Sequence, residues 1–178
     1  MLHARHNLSA VIWITGLPGS GKTTLGVNIR NSLLNSKLSI IYLDGDEIRQ
    51  ILGLENSLQI NDRLQIAKIY QNLVMMLSRQ SDVVVISTVS LFEDILKSNK
   101  ILFRNYFEIF LDVNQELLNN GPRKIIYNSD YNMYTKDIKP YFPKESNLIL
   151  TANQPRDREK WLEISILMVN QFLGKISE

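Results

Sequence analysis

Five short runs rich in β-branched and aromatic residues punctuate the chain: AVIWI at 10–14, SIIYL at 39–43, DVVVIS at 82–87, YFEIFLDV at 106–113 and LIL at 148–150. They lack the strict in/out alternation of a half-exposed strand, so they predict strands covered on both faces and joined as a parallel sheet. Between them the apolar positions recur at helical spacing. Leu25, Ile29 and Leu33 predict a helix over 24–34, and Leu64, Ala67, Leu73, Met76 and Leu77 predict a longer one over 62–79. Shorter helices are expected at 47–54, 92–103 and 114–118, the last stopping near Asn119-Asn120-Gly121-Pro122. Pro155 is expected to open a C-terminal helix carrying Trp161, Leu162, Ser165, Met168, Val169 and Phe172. Strand and helix thus alternate about five times. This predicts an α/β fold, with about five parallel strands and helices on both faces, spanning 1–178 as a single domain.

One stretch breaks the regularity. Residues 121–144 lack clean periodicity and carry Arg123, Lys124, Lys136, Lys139 and Lys144. A long irregular segment in a compact domain is usually functional or mobile, so a lid over a bound anion is expected here, the alternative being a solvated basic loop.

Composition narrows the field. The 178 residues suffice for one sizeable core and are few for two domains. Charged residues at 21% and hydrophobic ones at 44% are ordinary for a soluble globular protein. A net charge of +2 gives no reason to expect nucleic acid or a membrane surface as partner, so any anion site must be local. The absence of Cys excludes disulfides and thiolate metal sites. The apolar run behind Met1–Ala10 is too short for a signal-peptide core or a membrane span, and a cytoplasmic location is expected. A homodimer is left open.

The chemistry centres on the turn after the first strand. Gly16-Leu17-Pro18-Gly19-Ser20-Gly21-Lys22-Thr23 fits the Walker A pattern G-x-x-x-x-G-K-[ST] without a gap, and Thr24 continues it into the next helix. Glycines let backbone N–H groups curl around phosphate oxygens, and the helix N-terminus adds positive potential. Lys22 would reach the β- and γ-phosphates of ATP, and the Thr23 hydroxyl would sit on Mg²⁺.

Phosphoryl transfer also needs a group to place and deprotonate the acceptor. Asp44 and Asp46 follow the second strand, with Arg49 one helical turn beyond Asp46. Two carboxylates at a strand end can divide the work, one orienting Mg²⁺ through water and the other accepting the hydroxyl proton. Arg49 would offer a planar fork to an anionic acceptor. The plainer alternatives are a strand-exit turn with a helix cap for 44–46, and a surface ion pair for Asp62-Arg63.

The loop, then LDGDEIR at 43–49, Asp62-Arg63 and VSLF at 89–92, resembles adenylylsulfate kinase over roughly residues 10 to 151. That family reads G-L-x-G-S-G-K-T-T, L-D-G-D-x-x-R, E-D-R-x-E-N and I-S-P-F-R in the same order. The resemblance implies a P-loop NTPase/kinase fold and transfer of the ATP γ-phosphate to the 3′-hydroxyl of adenylylsulfate. It points to Asp46 as the base, to Arg49 and Arg63 as holders of the acceptor nucleotide, and to Ser90 beside it. The departures fall on the acceptor side. The family's Asn after D-R-x-E becomes Ile66, the Arg after S-P-F becomes Glu93, and the Phe before E-D-R falls near Leu58. The late basic and aromatic stretches survive in part, with Tyr134 still able to stack on a base. The Ser90–Ile95 variant also looks like relatives that phosphorylate cytidine diphosphoramidate for capsule decoration. A nucleotide-binding switch without turnover is the alternative of another class, and it has no need for Asp46, Arg49 and Arg63 together.

Overall fold

In the computed structural model, which describes residues 9–54, 60–120 and 139–177, β1 (Ala10–Gly16) is the central strand of a five-stranded sheet. The others are β2 (Ile40–Asp44), β3 (Val83–Ser87), β4 (Asn105–Val113) and β5 (Leu148–Ala152). Their order is β2-β3-β1-β4-β5 and every pairing is parallel. All residues of β1 and β3 are buried, because helices cover both faces and leave no polar side for alternation to mark.

Alternate residues of β1 feed two separate cores. Ile12 and Ile14 pack with Leu25, Ile29 and Leu33 of α1 (Lys22–Leu33), Leu118 of α5 (Gln115–Asn119), and Trp161 and Val169 of α6 (Trp161–Ser177). Val11 and Trp13 pack with Ile48 of α2 (Gly45–Ile51), Ile66, Tyr70 and Val74 of α3 (Ile60–Ser78), and Ile95 and Leu96 of α4 (Glu93–Leu102).

Two boundaries differ from expectation for identifiable reasons. Helix α2 begins at Gly45 rather than Glu47, because the Asp44 side chain caps it by accepting from the Asp46 N–H at 2.8 Å. Pro155 opens only a short 3₁₀ turn, Pro155–Arg158, and the C-terminal helix starts at Trp161. Asp157 accepts the Asn153 and Gln154 N–H groups at 2.9 and 3.0 Å, which closes that turn on itself.

Residues 139–144, the described end of the expected lid, contact the body of the domain. The Tyr141 N–H donates to the Leu91 carbonyl at 2.9 Å, and the Phe142 ring lies 5.9 Å from that of Phe110. Just beyond, the Ser146 hydroxyl donates to the buried Glu108 carboxylate at 2.6 Å. The rest of the expected lid, 121–138, Tyr134 included, lies outside the described residues.

Candidate active site

The register of the sheet aligns three strand ends. Ile14 lies opposite Ser87, and Ser87 opposite Asp44, so the loop after Gly16, the turn after Asp44 and the segment after Ser87 emerge side by side. The carboxyl ends of parallel strands, where neighbouring connections diverge, are where ligands settle on open α/β sheets.

The 16–24 loop is shaped for an anion. Gly21 has φ 102° and is the N-cap of α1, a left-handed conformation that a side chain would strain although the space around it is open. No side chain caps this helix, and its first turn holds no acidic residue. The first-turn N–H groups and the helix dipole are thus left to face the loop. The Ser20 hydroxyl beside them is buried and unpartnered. Lys22, 9% exposed, folds its ammonium back to donate to the Leu17 carbonyl at 2.8 Å. The Ser87 hydroxyl donates to the Lys22 carbonyl at 2.9 Å, tying α1 to the end of β3.

Asp44 joins the loop to the neighbouring turn. Its Oδ2 accepts from the Thr23 hydroxyl at 2.7 Å and from the Tyr42 hydroxyl at 3.1 Å, while Oδ1 caps α2. Burial and the Asp44 carboxylate push the Tyr42 phenol well above its ordinary range, so it stays a donor. A hydroxyl and a carboxylate at the mouth of a phosphate loop suit a hard cation that takes its remaining oxygens from phosphate and water. Among the described residues no cluster of three His, Cys, Asp or Glu forms a protein-only cage.

Beyond Asp44, the Asp46 carboxylate pairs with the Arg49 guanidinium. Arg49 Nη1 also lies 3.4 Å from the Tyr70 hydroxyl, which donates to the Gly45 carbonyl at 2.7 Å. Burial alone would lower the pKa of Arg49, but Tyr70 and Asp46 outweigh it and raise it, so the guanidinium stays charged. Ser90 is buried and shares a 2.9 Å hydrogen bond with the Thr88 hydroxyl, close to Gly45. Arg63 sits in the first turns of α3 and is half-buried.

Gly16 to Thr24, Asp44, Asp46 and Arg49 thus come together as their order suggested, and Tyr42 and Tyr70 join them unannounced. The signal for Tyr42 is parity: two residues before Asp44 on one strand places both on the same face. Tyr70 reaches Gly45 and Arg49 across 25 and 21 positions of chain, and no local pattern marks it.

A parallel sheet with a phosphate loop at its central strand and a carboxylate–arginine turn beside it defines a P-loop kinase, an ATP-dependent phosphotransferase. The model of the adenylylsulphate kinase family matches residues 8–139. The chain belongs to that family. It is 29% identical over 160 residues to the cytidine diphosphoramidate kinase of Campylobacter jejuni, covering 88% of this chain and 94% of that protein. It is 31% identical over 151 residues to an adenylyl-sulfate kinase of Clostridium kluyveri, covering 80% and 75%. The Mycobacterium tuberculosis APS kinase solved with AMPPNP and APS superposes with a TM-score of 0.71 at 23% identity, over 89% of this chain and 97% of that one. The shikimate kinase of Bacteroides thetaiotaomicron shares the fold at a TM-score of 0.59 and 20% identity, over 93% and 98%.

Proposed function

We propose that this kinase transfers the γ-phosphate of ATP to the 3′-hydroxyl of an activated nucleotide, with adenylylsulfate as the acceptor its family implies. The observation that carries the reading is the juxtaposition of the Lys22–Thr23 loop with the Asp44–Asp46–Arg49 turn. Lys22 and the loop N–H groups would bind the β- and γ-phosphates and stabilise charge as it shifts during transfer. Thr23, with Asp44 acting through water, would hold Mg²⁺, which neutralises phosphate charge when bound. Asp46 would accept the acceptor's proton, and Arg49, Arg63 and Ser90 would hold the acceptor. Tyr134 would stack on a base, within a lid over 121–144.

Two side chains weigh against adenylylsulfate and bring in a second acceptor, cytidine diphosphoramidate. Ile66 stands where the adenylylsulfate kinase pattern has Asn, and it is 4% exposed in the core beside Ile48 and Tyr70. Glu93 stands where that pattern has Arg, and it pairs at 2.8 Å with Lys97 one turn along α4. Two polar groups of the adenylylsulfate pattern are thereby missing from the acceptor side. The relative from C. jejuni, matched over 94% of its length, carries the second acceptor in its name.

The test is ADP release with MgATP and each acceptor in turn. Turnover with adenylylsulfate supports the first reading, and turnover with cytidine diphosphoramidate alone supports the second. Tight MgATP binding with no turnover on either would refute both and leave a nucleotide-binding switch.

A further inference from the structure

Tyr42 has no place in the chemistry above, yet the site is built around it. Its ring lies between β2 and α1, where an ideal Cβ on Gly26 would come within 2.6 Å of Tyr42 Cε2. Glycine inside a helix is less favourable than alanine, and here it admits the ring. The ring in turn delivers the phenol to Asp44 Oδ2 at 3.1 Å, the same oxygen that accepts from Thr23 at 2.7 Å. The phenol also lies 3.5 Å from the Thr23 carbonyl. Three donors, from Tyr42, Thr23 and the Asp46 N–H, therefore fix one carboxylate.

We infer that Tyr42 is a positioning residue for the divalent cation of the bound nucleotide, acting through Asp44. The inference rests on the proposed nucleotide site and is independent of the acceptor. A threonine hydroxyl that donates its proton to Asp44 turns its lone pairs away from Asp44, towards the loop. Tyr42 holds Asp44 where that donation is short. Partners that orient metal-binding groups in this way are commonly worth about tenfold or more in metal affinity.

Calorimetric titration of ADP with magnesium and with EDTA tests this on wild type and Tyr42→Phe. Phenylalanine keeps the ring against Gly26 and removes only the hydroxyl. The expected result is unchanged ADP affinity in EDTA and an affinity gain from magnesium reduced about tenfold. With Asp44→Asn already present, Tyr42→Phe should remove nothing further. An equal magnesium gain in wild type and Tyr42→Phe overturns the inference. An equal loss with and without magnesium overturns it too, since a structural defect would act on both. A wild type that binds ADP no tighter with magnesium refutes the metal role itself, and one that binds no ADP refutes the proposed function.

Discussion

Replacing Gly26 and Gly174 by alanine, each in turn, should change stability in opposite directions. Both glycines lie inside helices, α1 and α6. Alanine favours a helix over glycine by about 1 kcal/mol, partly through the unfolded chain. At Gly174 a Cβ would meet nothing within 4 Å, so the gain stands alone. At Gly26 the Cβ would run into the Ser87 hydroxyl and would meet Tyr42 Cε2 at 2.6 Å. Ser87 can rotate away only by giving up its 2.9 Å hydrogen bond to the Lys22 carbonyl, a buried bond worth about 1 kcal/mol. Displacing the Tyr42 ring adds an overpacking cost of about 1–3 kcal/mol. After the helix gain is subtracted, Gly26→Ala should lose roughly 1–3 kcal/mol. For a chain of this size that lowers Tm by roughly 2–12 °C. Gly174→Ala should raise Tm by roughly 2–4 °C. Urea unfolding followed by circular dichroism, with a thermal scan beside it, measures both. Equal stabilisation by the two substitutions would refute the close approach of α1 to Tyr42 and Ser87, and with it the packing that places the phenol on Asp44.

Lys22→Ala should cut transfer by about 100-fold or more at saturating MgATP, measured as ADP release with the accepted nucleotide; activity within about threefold of wild type would refute its role. Asp46→Asn should lower kcat by about 100- to 10,000-fold with ATP affinity nearly intact, whereas Asp44→Asn should also raise the magnesium requirement; normal turnover of Asp46→Asn would make Asp44 the better base. Burial, with Glu108 beside it, pushes the Tyr106 phenol well above its ordinary range. The unfolded chain would release that proton near pH 10 and the folded chain would not, so the stability tied to it is present below about pH 10 and is lost as pH rises further. Urea unfolding across that range should show Tyr106→Phe losing less stability with pH than wild type; identical slopes would contradict the burial argument.

The ATP side was legible because its information is local. A glycine-rich turn between a buried apolar run and an amphipathic run specifies strand, loop and helix within a short stretch, Thr23 followed from the loop pattern itself, and Asp44 followed from the end of the second strand. The acceptor side depends on distant parts of the chain. That Ile66 belongs to the core and that Tyr70 bonds Gly45 and Arg49 both follow from how α3 packs on α2. Apolar spacing put Leu64, Ala67, Leu73, Met76 and Leu77 on the inner face of α3, whereas the fully buried face runs through Ile66, Ala67, Tyr70 and Val74 and Met76 is exposed; no such spacing reveals that a phenol on that face reaches a backbone carbonyl. Helix starts were misplaced where a side-chain cap or a 3₁₀ turn decided them, as at Asp44 and Pro155. Those are choices between near-equal local geometries, and apolar spacing does not register them.

Asp44 also complicates any division of this site into a metal half and an acceptor half. One of its oxygens accepts from Thr23 and Tyr42, and the other accepts the N–H of Asp46 and so caps α2. Helix α2 is only seven residues long and carries both Asp46 and Arg49. A helix that short draws little stability from its own hydrogen bonds, so a cap worth about 0.5–2 kcal/mol is a large share of what holds it. Tyr70 supplies a second hold by bonding the Gly45 carbonyl. Asp44→Asn keeps an oxygen that can cap α2, while the NH2 group in place of Oδ2 cannot accept from Thr23. Asp44→Ala removes both functions. The two variants should therefore separate on the acceptor side: both lose the magnesium response, and only the alanine variant also loosens the turn bearing Asp46 and Arg49. On the proposed assignment the nucleotide site and the acceptor site are coupled through one carboxylate, because whatever orders Asp44 from the loop side also orders the first turn of α2.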